Sequence, residues 1–577
     1  MPKIINIKIN NKKIKAQEGD TILETAYKAG IEIPHLCFHP DTEVKANCRV
    51  CVVEIKGRKD LPTSCSTKIE EGMEIKTESS RVAKARKINL ELIFSEHIEK
   101  CGTCPMNFNC KLLNYAKKYN LKITRFKDRK KNRKVYKFGN AVELDSSQCI
   151  DCRNCVDICE QQGVGFLKLK NKGHKIEVVP VDDGKHDCVY CGQCAVHCPV
   201  TAIQEQLNYN EIEKDLKNKK NKILVAQIAP SIRTSIGEMF NLPYGKIMTG
   251  QLISSLRALG FDYVFDVNFG ADVTTIVEAE ELAERLKNKN FVLPMFTSCC
   301  PAWVKFVEFY YPEFIPNLTT SRSPHIHLAG IIKTYWAKKI KVDPKKIVVV
   351  SIMPCTAKKY ESSRKELWLN NRPLVDSVLT TRELGYLLHK HKIDLTKIKP
   401  TKSDNPLGEH SGAGAIYGAS GGVMESALRT AMFLLNKEKL KSINFKQIRG
   451  QQGIKKAEVK VGNRNLKLAV SNGLGNAKKI LEELKQNPRE YDYVEIMACP
   501  GGCIGGGGQP IPTTPLQRIK RAESLYQIDK KKKIREAHKN QEAKKAMSWL
   551  KKDKKLASQI LHTKYHKKNK PEGFKIL

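Results

Sequence analysis

The chain has 577 residues, 41% hydrophobic and 28% charged, with 20 cysteines and a formal net charge of +40. That length is too great for one core, and no apolar run reaches the roughly 18 residues of a membrane span, so several domains without a membrane span are expected. The charge raises nucleic-acid binding, but no helix-turn-helix, zinc-finger or RNP pattern accompanies it, and no nucleic-acid partner is expected.

The opening residues lack the apolar core of a signal peptide, and a cytoplasmic location is expected. The cysteines fall in C-x-x-C groups, which favours metal over disulfides. Thiolates holding metal are deprotonated, so the assembled protein is less basic by on the order of ten charges. The remaining positive charge reads either as a face that steers an acidic redox partner or as ordinary solvated lysine.

Residues 1–80 read as a small β-grasp domain. Lys3–Ile9 alternates apolar and polar, as a half-buried strand does, and Thr21 with Glu24 forms a capping box that opens a short helix ending near Gly30. Cys48 and Cys51 lead into an expected strand Val52–Ile55. Cys37, Cys48, Cys51 and Cys65 are a four-thiolate set suited to a 2Fe–2S cluster, with structural zinc as the alternative.

Residues 81–140 begin with an amphipathic helix ending at His97 and continue, over 111–140, as a basic connector. His97, Cys101, Cys104 and Cys110 form a one-histidine, three-cysteine set. Alone it fits zinc; beside iron–sulfur domains it fits a 4Fe–4S cluster. Residues 141–210 contain the C-x2-C-x2-C-x3-C run twice. The fourth cysteine of each run serves the other cluster, so Cys149, Cys152, Cys155 and Cys198 form one set and Cys159, Cys188, Cys191 and Cys194 the second. Residues 207–221 read as a charged linker.

From 222 the texture turns α/β. Buried-strand runs at 223–228, 291–296, 347–352 and 493–497 each end at a chemical motif: Ala229-Pro230-Ser231, Cys299-Cys300, Met353-Pro354-Cys355 and Cys499. Open α/β sheets place ligands at such strand ends. The predicted architecture is multidomain α+β and α/β, with a two-lobed catalytic domain over 211–515 and a basic helical region over 516–577.

Three motifs carry a family resemblance: Thr297-Ser298-Cys299-Cys300-Pro301, Met353-Pro354-Cys355 with Lys358 and Glu361, and Cys499-Pro500-Gly501-Gly502-Cys503 with the glycines that follow. In order and spacing they resemble the iron–iron (FeFe) hydrogenases of the large clostridial type. The resemblance implies reversible reduction of protons to dihydrogen. It implies an H-cluster, a 4Fe–4S cube joined to a two-iron unit with carbon monoxide, cyanide and azadithiolate, plus one 2Fe–2S and three accessory 4Fe–4S clusters. It assigns the cube to Cys300, Cys355, Cys499 and Cys503, with Cys503 also bridging to the two-iron unit. Lys358, Pro230 and Ser231 would surround the cyanides; Pro324, His325, Met353, Met497 and Phe296 would line the pocket.

Cys299 is then left as a proton donor, with a relay through Glu278, Thr319, Glu281 and Arg285, the last near the surface. Glu278, Glu281 and Arg285 share one helix face; without the resemblance they read as a solvated charged stripe. Departures from familiar members are His325 for glutamine, Thr319 for serine, and Ala302 and Ala357 for glycine and serine. The alanine pair is similar to hydrogenases of multisubunit, pyridine-nucleotide-linked complexes. Implied partners are a ferredoxin or flavodoxin-like acidic carrier, maturation proteins and, in the bifurcating alternative, NADH-oxidising subunits, since the chain has no trustworthy dinucleotide fingerprint. A rival from another class is an electron-transfer subunit resembling the large iron–sulfur subunit of complex I, which lacks the three C-terminal motifs. Hydrogenase-like proteins of iron–sulfur assembly or hydrogen sensing are further rivals.

Overall fold

The computed structural model describes residues 3–97, 101–288, 290–436, 443–461 and 464–577. Strand Ile4–Ile9 buries Ile5, Ile7 and Ile9 and turns through Asn10 and Asn11, both in the left-handed region that suits a tight hairpin. It pairs antiparallel with Lys12–Gln17 and parallel with Glu74–Lys76, which pairs in turn with Glu54–Ile55. The Thr21 capping box forms as expected and opens helix Ile22–Lys28. Only Glu54–Ile55 of the expected strand Val52–Ile55 forms, because Ala46 and Arg49 adopt left-handed backbone and curl the preceding loop around the thiols.

Two connecting stretches contain more structure than their charge suggested. Helix Lys111–Lys118 is capped by the Cys110 sulfur, which accepts from the Leu113 N–H, and strand Val135–Phe138 follows. The presumed linker contains helix Tyr209–Lys217, whose buried Tyr209 donates to the Thr103 carbonyl at 3.0 Å. In both, one or two large apolar residues anchor a helix that is otherwise basic or mixed in charge.

The α/β region has two sheets. Strands Tyr263–Asp266, Ile223–Ile228, Ile347–Met353 and Ser377–Thr380 lie side by side, all parallel. In the other sheet Met295–Phe296, Tyr493–Met497 and Arg464–Asn472 run parallel, and Ile454–Val461 closes the edge antiparallel. The expected strand 291–296 shrinks to its last two residues, since Phe291 and Val292 are exposed. Helix Val267–Lys287 packs against Pro324–Ile331 and Gly422–Asn436, with most of its residues buried.

The C-terminal region wraps the rest. After helices Pro515–Lys531, Gln541–Lys551 and Lys554–Leu561, the chain bonds back through Thr563 to Thr320 and Lys568 to Glu308. Lys575–Ile576 then adds an edge strand beside Val135–Phe138. Buried ion pairs fasten the cysteine-rich units to the α/β region, through Arg382 with Glu205 and Lys305 with Asp187, and to the C-terminal region, through Arg518 with Asp41. Removing one partner of such a pair strands a charge and costs about 3–5 kcal/mol. No described helix is long and apolar enough to cross a membrane.

Candidate active site

Cys299, Cys300, Cys355, Cys499 and Cys503 line one internal cavity of about 70 Å³, delivered by separate strand ends. Ser231, Pro230, Pro324, His325, Met353, Met497 and Lys358 line it too. Phe296 does not; from its two-residue strand it packs into the core against Trp303 and Phe314. The glycine run does more than approach the cavity. Added methyls on Gly506 and Gly507 would lie 2.2 Å from the Pro354 carbonyl and 2.6 Å from the Cys191 carbonyl, so the loop is pressed against its neighbours.

The donor set fits a cluster. Burial, and then the neighbouring Cys300, push the Cys355 thiol up to about 12, while burial and then Cys355 and Cys300 raise Cys499 well above its usual range. Four thiols brought together this way are a soft donor set, which a soft metal would hold as thiolates. Ser231 is fully buried, and its Oγ has no hydrogen-bond partner among the described residues. An acceptor ligand in the cavity, such as cyanide, would satisfy it.

Lys358 donates to the Cys299 carbonyl at 3.0 Å and to Glu361 at 2.6 Å. That leaves donor capacity on its ammonium for a ligand in the cavity. Burial opposes its charge, but Glu361 keeps its pKa above the usual lysine value. Glu361 also meets His325 Nε2 at 2.5 Å, and His325 Nδ1 lies 3.1 Å from the Ser351 hydroxyl. The side chain of His325 is thereby tied into a buried polar network behind the cavity. Burial, then the Lys358 charge, lowers its pKa.

The residues expected to form a proton relay meet in two groups. Thr319 donates to Glu281 at 2.7 Å, and Arg285 donates to Glu281 at 2.6 Å. Glu278 instead accepts from the Tyr493 hydroxyl at 2.7 Å, and its Oε2 has no partner among the described residues. Burial lifts the Glu278 carboxyl to about 8, against the downward pull of the Tyr493 bond. Burial, then the Glu278 charge, holds the Cys299 thiol well above its usual range. Arg285 is not near the surface. It is 6% exposed because its guanidinium serves the carbonyls of Pro316, Asn317 and Leu318. The group reaching solvent is His562, which meets Thr320 at 2.9 Å, and Thr320 in turn donates to Glu281. Tyr493 and His562 escaped the sequence reading, and Glu361 stood in the motif without a role. Glu361 had a signal, its i, i+3 spacing from Lys358; the other two contacts join distant segments.

The accessory thiols also assemble. Cys37 and Cys48 lie within hydrogen-bonding reach of each other, as do Cys51 and Cys65. Cys149, Cys152, Cys155 and Cys198 line one small cavity, and Cys159 lies beside Cys188, Cys191 and Cys194. His97, Cys101, Cys104 and Cys110 line another. His97 Nδ1 lies 2.7 Å from the Gln148 carbonyl, which fixes that nitrogen as the N–H and leaves Nε2 with a free lone pair. All 20 cysteines are free of disulfides.

Ferredoxin-like thiol sets packed against an α/β region with a five-thiol cavity define an iron–sulfur oxidoreductase. Residues 222–507 match the family described as the iron only hydrogenase large subunit, C-terminal domain. Residues 3–80 match a 2Fe-2S iron-sulfur cluster binding domain, 86–125 the NADH-ubiquinone oxidoreductase-G iron-sulfur binding region, 148–202 a 4Fe-4S dicluster domain, and 516–568 the iron hydrogenase small subunit. The chain is 39% identical over 552 residues to the NADP-reducing hydrogenase subunit HndD of Solidesulfovibrio fructosivorans, covering 93% of this chain and 94% of that one. It is 38% identical over 572 residues to iron hydrogenase 1 of Clostridium pasteurianum, covering 97% and 99%. The apo [FeFe]-hydrogenase HydA1 from Chlamydomonas reinhardtii superposes with a TM-score of 0.56 at 35% identity, over 63% of this chain and 99% of that one. The chain belongs to the iron–iron hydrogenase family and is a hydrogenase.

Proposed function

We propose that this chain interconverts two protons and two electrons with dihydrogen, taking electrons from ferredoxin or a similar low-potential carrier. The observation that carries this reading is the meeting of Cys300, Cys355, Cys499 and Cys503 in one buried cavity, with a fifth thiol, Cys299, beside a buried carboxyl. We assign the first four to the cube of an H-cluster. When bound, that cluster supplies the irons and the basic amine at which protons and electrons combine.

The protein's part is positional. Ser231 and Lys358 offer hydrogen-bond donors to the cluster's anionic ligands, and Met353 and Met497 keep the cavity apolar. Cys299, protonated at neutral pH, holds the inner proton; Glu278 stands behind it; Thr319, Glu281 and Arg285 form the outer group. Thr320 and His562 extend that group to solvent.

Two of the thiol sets converge on the Cys149 set, and another approaches the cavity of Cys300 and Cys355. Cys37 shares an electrostatic field with Cys152, while Cys191 shares one with Cys355 and Cys300. The Cys104 sulfur is 3.1 Å from Thr201, near Cys198, so the histidine-containing set adjoins the Cys149 set. This supports one 2Fe–2S and three 4Fe–4S clusters leading inward, in a β-grasp unit at 1–80, a His/Cys3 unit at 81–140, a two-cluster unit at 141–210 and a catalytic unit at 211–515.

The likeness to a protein named as a subunit of an NADP-reducing hydrogenase supports a second reading, in which partner subunits deliver the electrons. Infrared spectroscopy of the matured protein tests the H-cluster assignment: carbonyl and cyanide stretches are expected. Matured protein without them would leave an electron-transfer subunit as the better reading.

A further inference from the structure

We infer that Tyr493 is a positioning residue for proton delivery: its hydroxyl pins one oxygen of Glu278 and leaves the other free to carry a proton. The inference rests on the relay reading above and extends it to a residue outside the family motifs.

Tyr493 opens the strand Tyr493–Met497 and is held on both sides, opposite Met295 and Leu468 in parallel pairing. Its ring sits in an apolar cluster with Ala279, Leu282 and Met295, where phenylalanine would fill the same space. A phenol buried in such surroundings is unfavourable unless its hydroxyl is bonded. The bond it makes is to Glu278 Oε1 at 2.7 Å, and both residues are fully buried. Glu278 Oε2 is left without a partner among the described residues. A buried carboxyl with one oxygen fastened cannot swing, so its free oxygen keeps one direction.

The strand that fixes Tyr493 also runs into Cys499, so the peg and the cube-binding loop share one rigid element. The charged and titratable groups facing Glu278 are few. Cys299 and Tyr417 come from neighbouring segments, Glu281 and Arg285 from its own helix, and Glu495 from the strand of Tyr493. The Tyr417 hydroxyl pairs with Thr275 Oγ1 at 2.9 Å.

The proton steps balance. Cys299 gives its thiol proton inward and becomes a thiolate. The proton on Glu278 Oε2 then restores the thiol, and Glu278 becomes a carboxylate, to which the Tyr493 hydroxyl bond is strengthened by charge. A proton from the outer group restores Glu278. Tyr493 keeps its own proton throughout.

The test is Tyr493→Phe, which removes one oxygen. Loss of a hydrogen bond to the charged form raises the Glu278 pKa, by about one unit or more. The alkaline limb of hydrogen evolution and the acid limb of hydrogen oxidation should therefore both move to higher pH by about that much. The protonated Glu278 carboxyl stretch in infrared difference spectra should rise in frequency, while the carbonyl and cyanide bands stay in place. Replacing Tyr493 with 3-fluorotyrosine keeps the fold and strengthens the donor, and should move both limbs to lower pH. Glu278→Gln separates the two readings. If it collapses turnover while both Tyr493 substitutions leave the limbs and the carboxyl band unmoved, the role of Tyr493 is refuted and the relay stands. If Glu278→Gln turns over normally, the relay reading falls first and the role of Tyr493 falls with it.

Discussion

Lys358 donates to the backbone carbonyl of Cys299 at 3.0 Å, so the lysine of one motif holds the backbone of another in place. The ammonium that does this is neutralised by Glu361, which burial opposes but which Lys358 and His325 hold down at about 2. Glu361→Gln removes that countercharge and leaves a buried cation, which should destabilise the catalytic unit by about 3–5 kcal/mol. A carboxyl whose folded pKa is depressed contributes stability that is present above its unfolded value and lost as pH falls through the folded one. The gap between wild type and variant should therefore be constant from about pH 5 to 8 and begin to close below about pH 4. Anaerobic unfolding midpoints across that range check it; equal midpoints at neutral pH would refute the structural role.

Metal content tests the accessory sites. Matured protein should contain about 20 irons, and protein made without maturation factors should lack only the two-iron unit. His97→Ala should disturb one cluster signal in electron paramagnetic resonance and leave the others. The orientation of His97, with Nδ1 on the Gln148 carbonyl, is what an iron ligand through Nε2 requires. Zinc found in holoprotein in place of that cluster would overturn the assignment.

The cysteine sets were readable in the chain because their spacing is local, and each expected set meets in space. The strands ending at Ser231, Cys355 and Cys499 were readable too, since buried parallel strands are continuous apolar runs. Other features were not. Glu278 meets Tyr493 across 215 positions, and Arg382 meets Glu205 across 177, distances over which no periodicity carries information. The helix Tyr209–Lys217 was hidden by its charges. The C-terminal segment has no motif because its work is done by scattered contacts: backbone bonds, Arg518 on Asp41, and Glu572, which reaches Tyr190 at 2.6 Å and Lys305 at 2.9 Å.

The partner is tested by salt. If the net charge of +40 steers an acidic carrier, the apparent second-order rate with ferredoxin should fall steeply between about 0.01 and 0.15 M salt, as screening shortens the reach of charge. Turnover with a small neutral dye should not change. Equal sensitivity for both donors would mean that the lysines are ordinary solvated surface. The isolated chain should not oxidise NADH; robust NADH-driven hydrogen release would remove the need for partner subunits.

Cys299 gives the sharpest test of the proton route. It lines the cavity with the four thiols assigned to the cube, and it adjoins one of them, Cys300, in sequence. As a small buried residue it has a purely structural explanation. The functional one needs a group that gives and regains a proton within hydrogen-bond reach. Burial keeps its thiol protonated at neutral pH, the state a donor requires. Cys299→Ala removes the proton with little change in volume. Iron content and the carbonyl and cyanide bands should remain, while turnover falls by about two to four orders of magnitude, the usual worth of a positioned proton-transfer group. Cys299→Asp should recover part of that loss, because a carboxyl can carry the proton. Normal turnover in Cys299→Ala with the cluster intact would exclude the route through Glu278. Loss of the cluster would instead mean that Cys299, and not Cys300, is the fourth ligand of the cube.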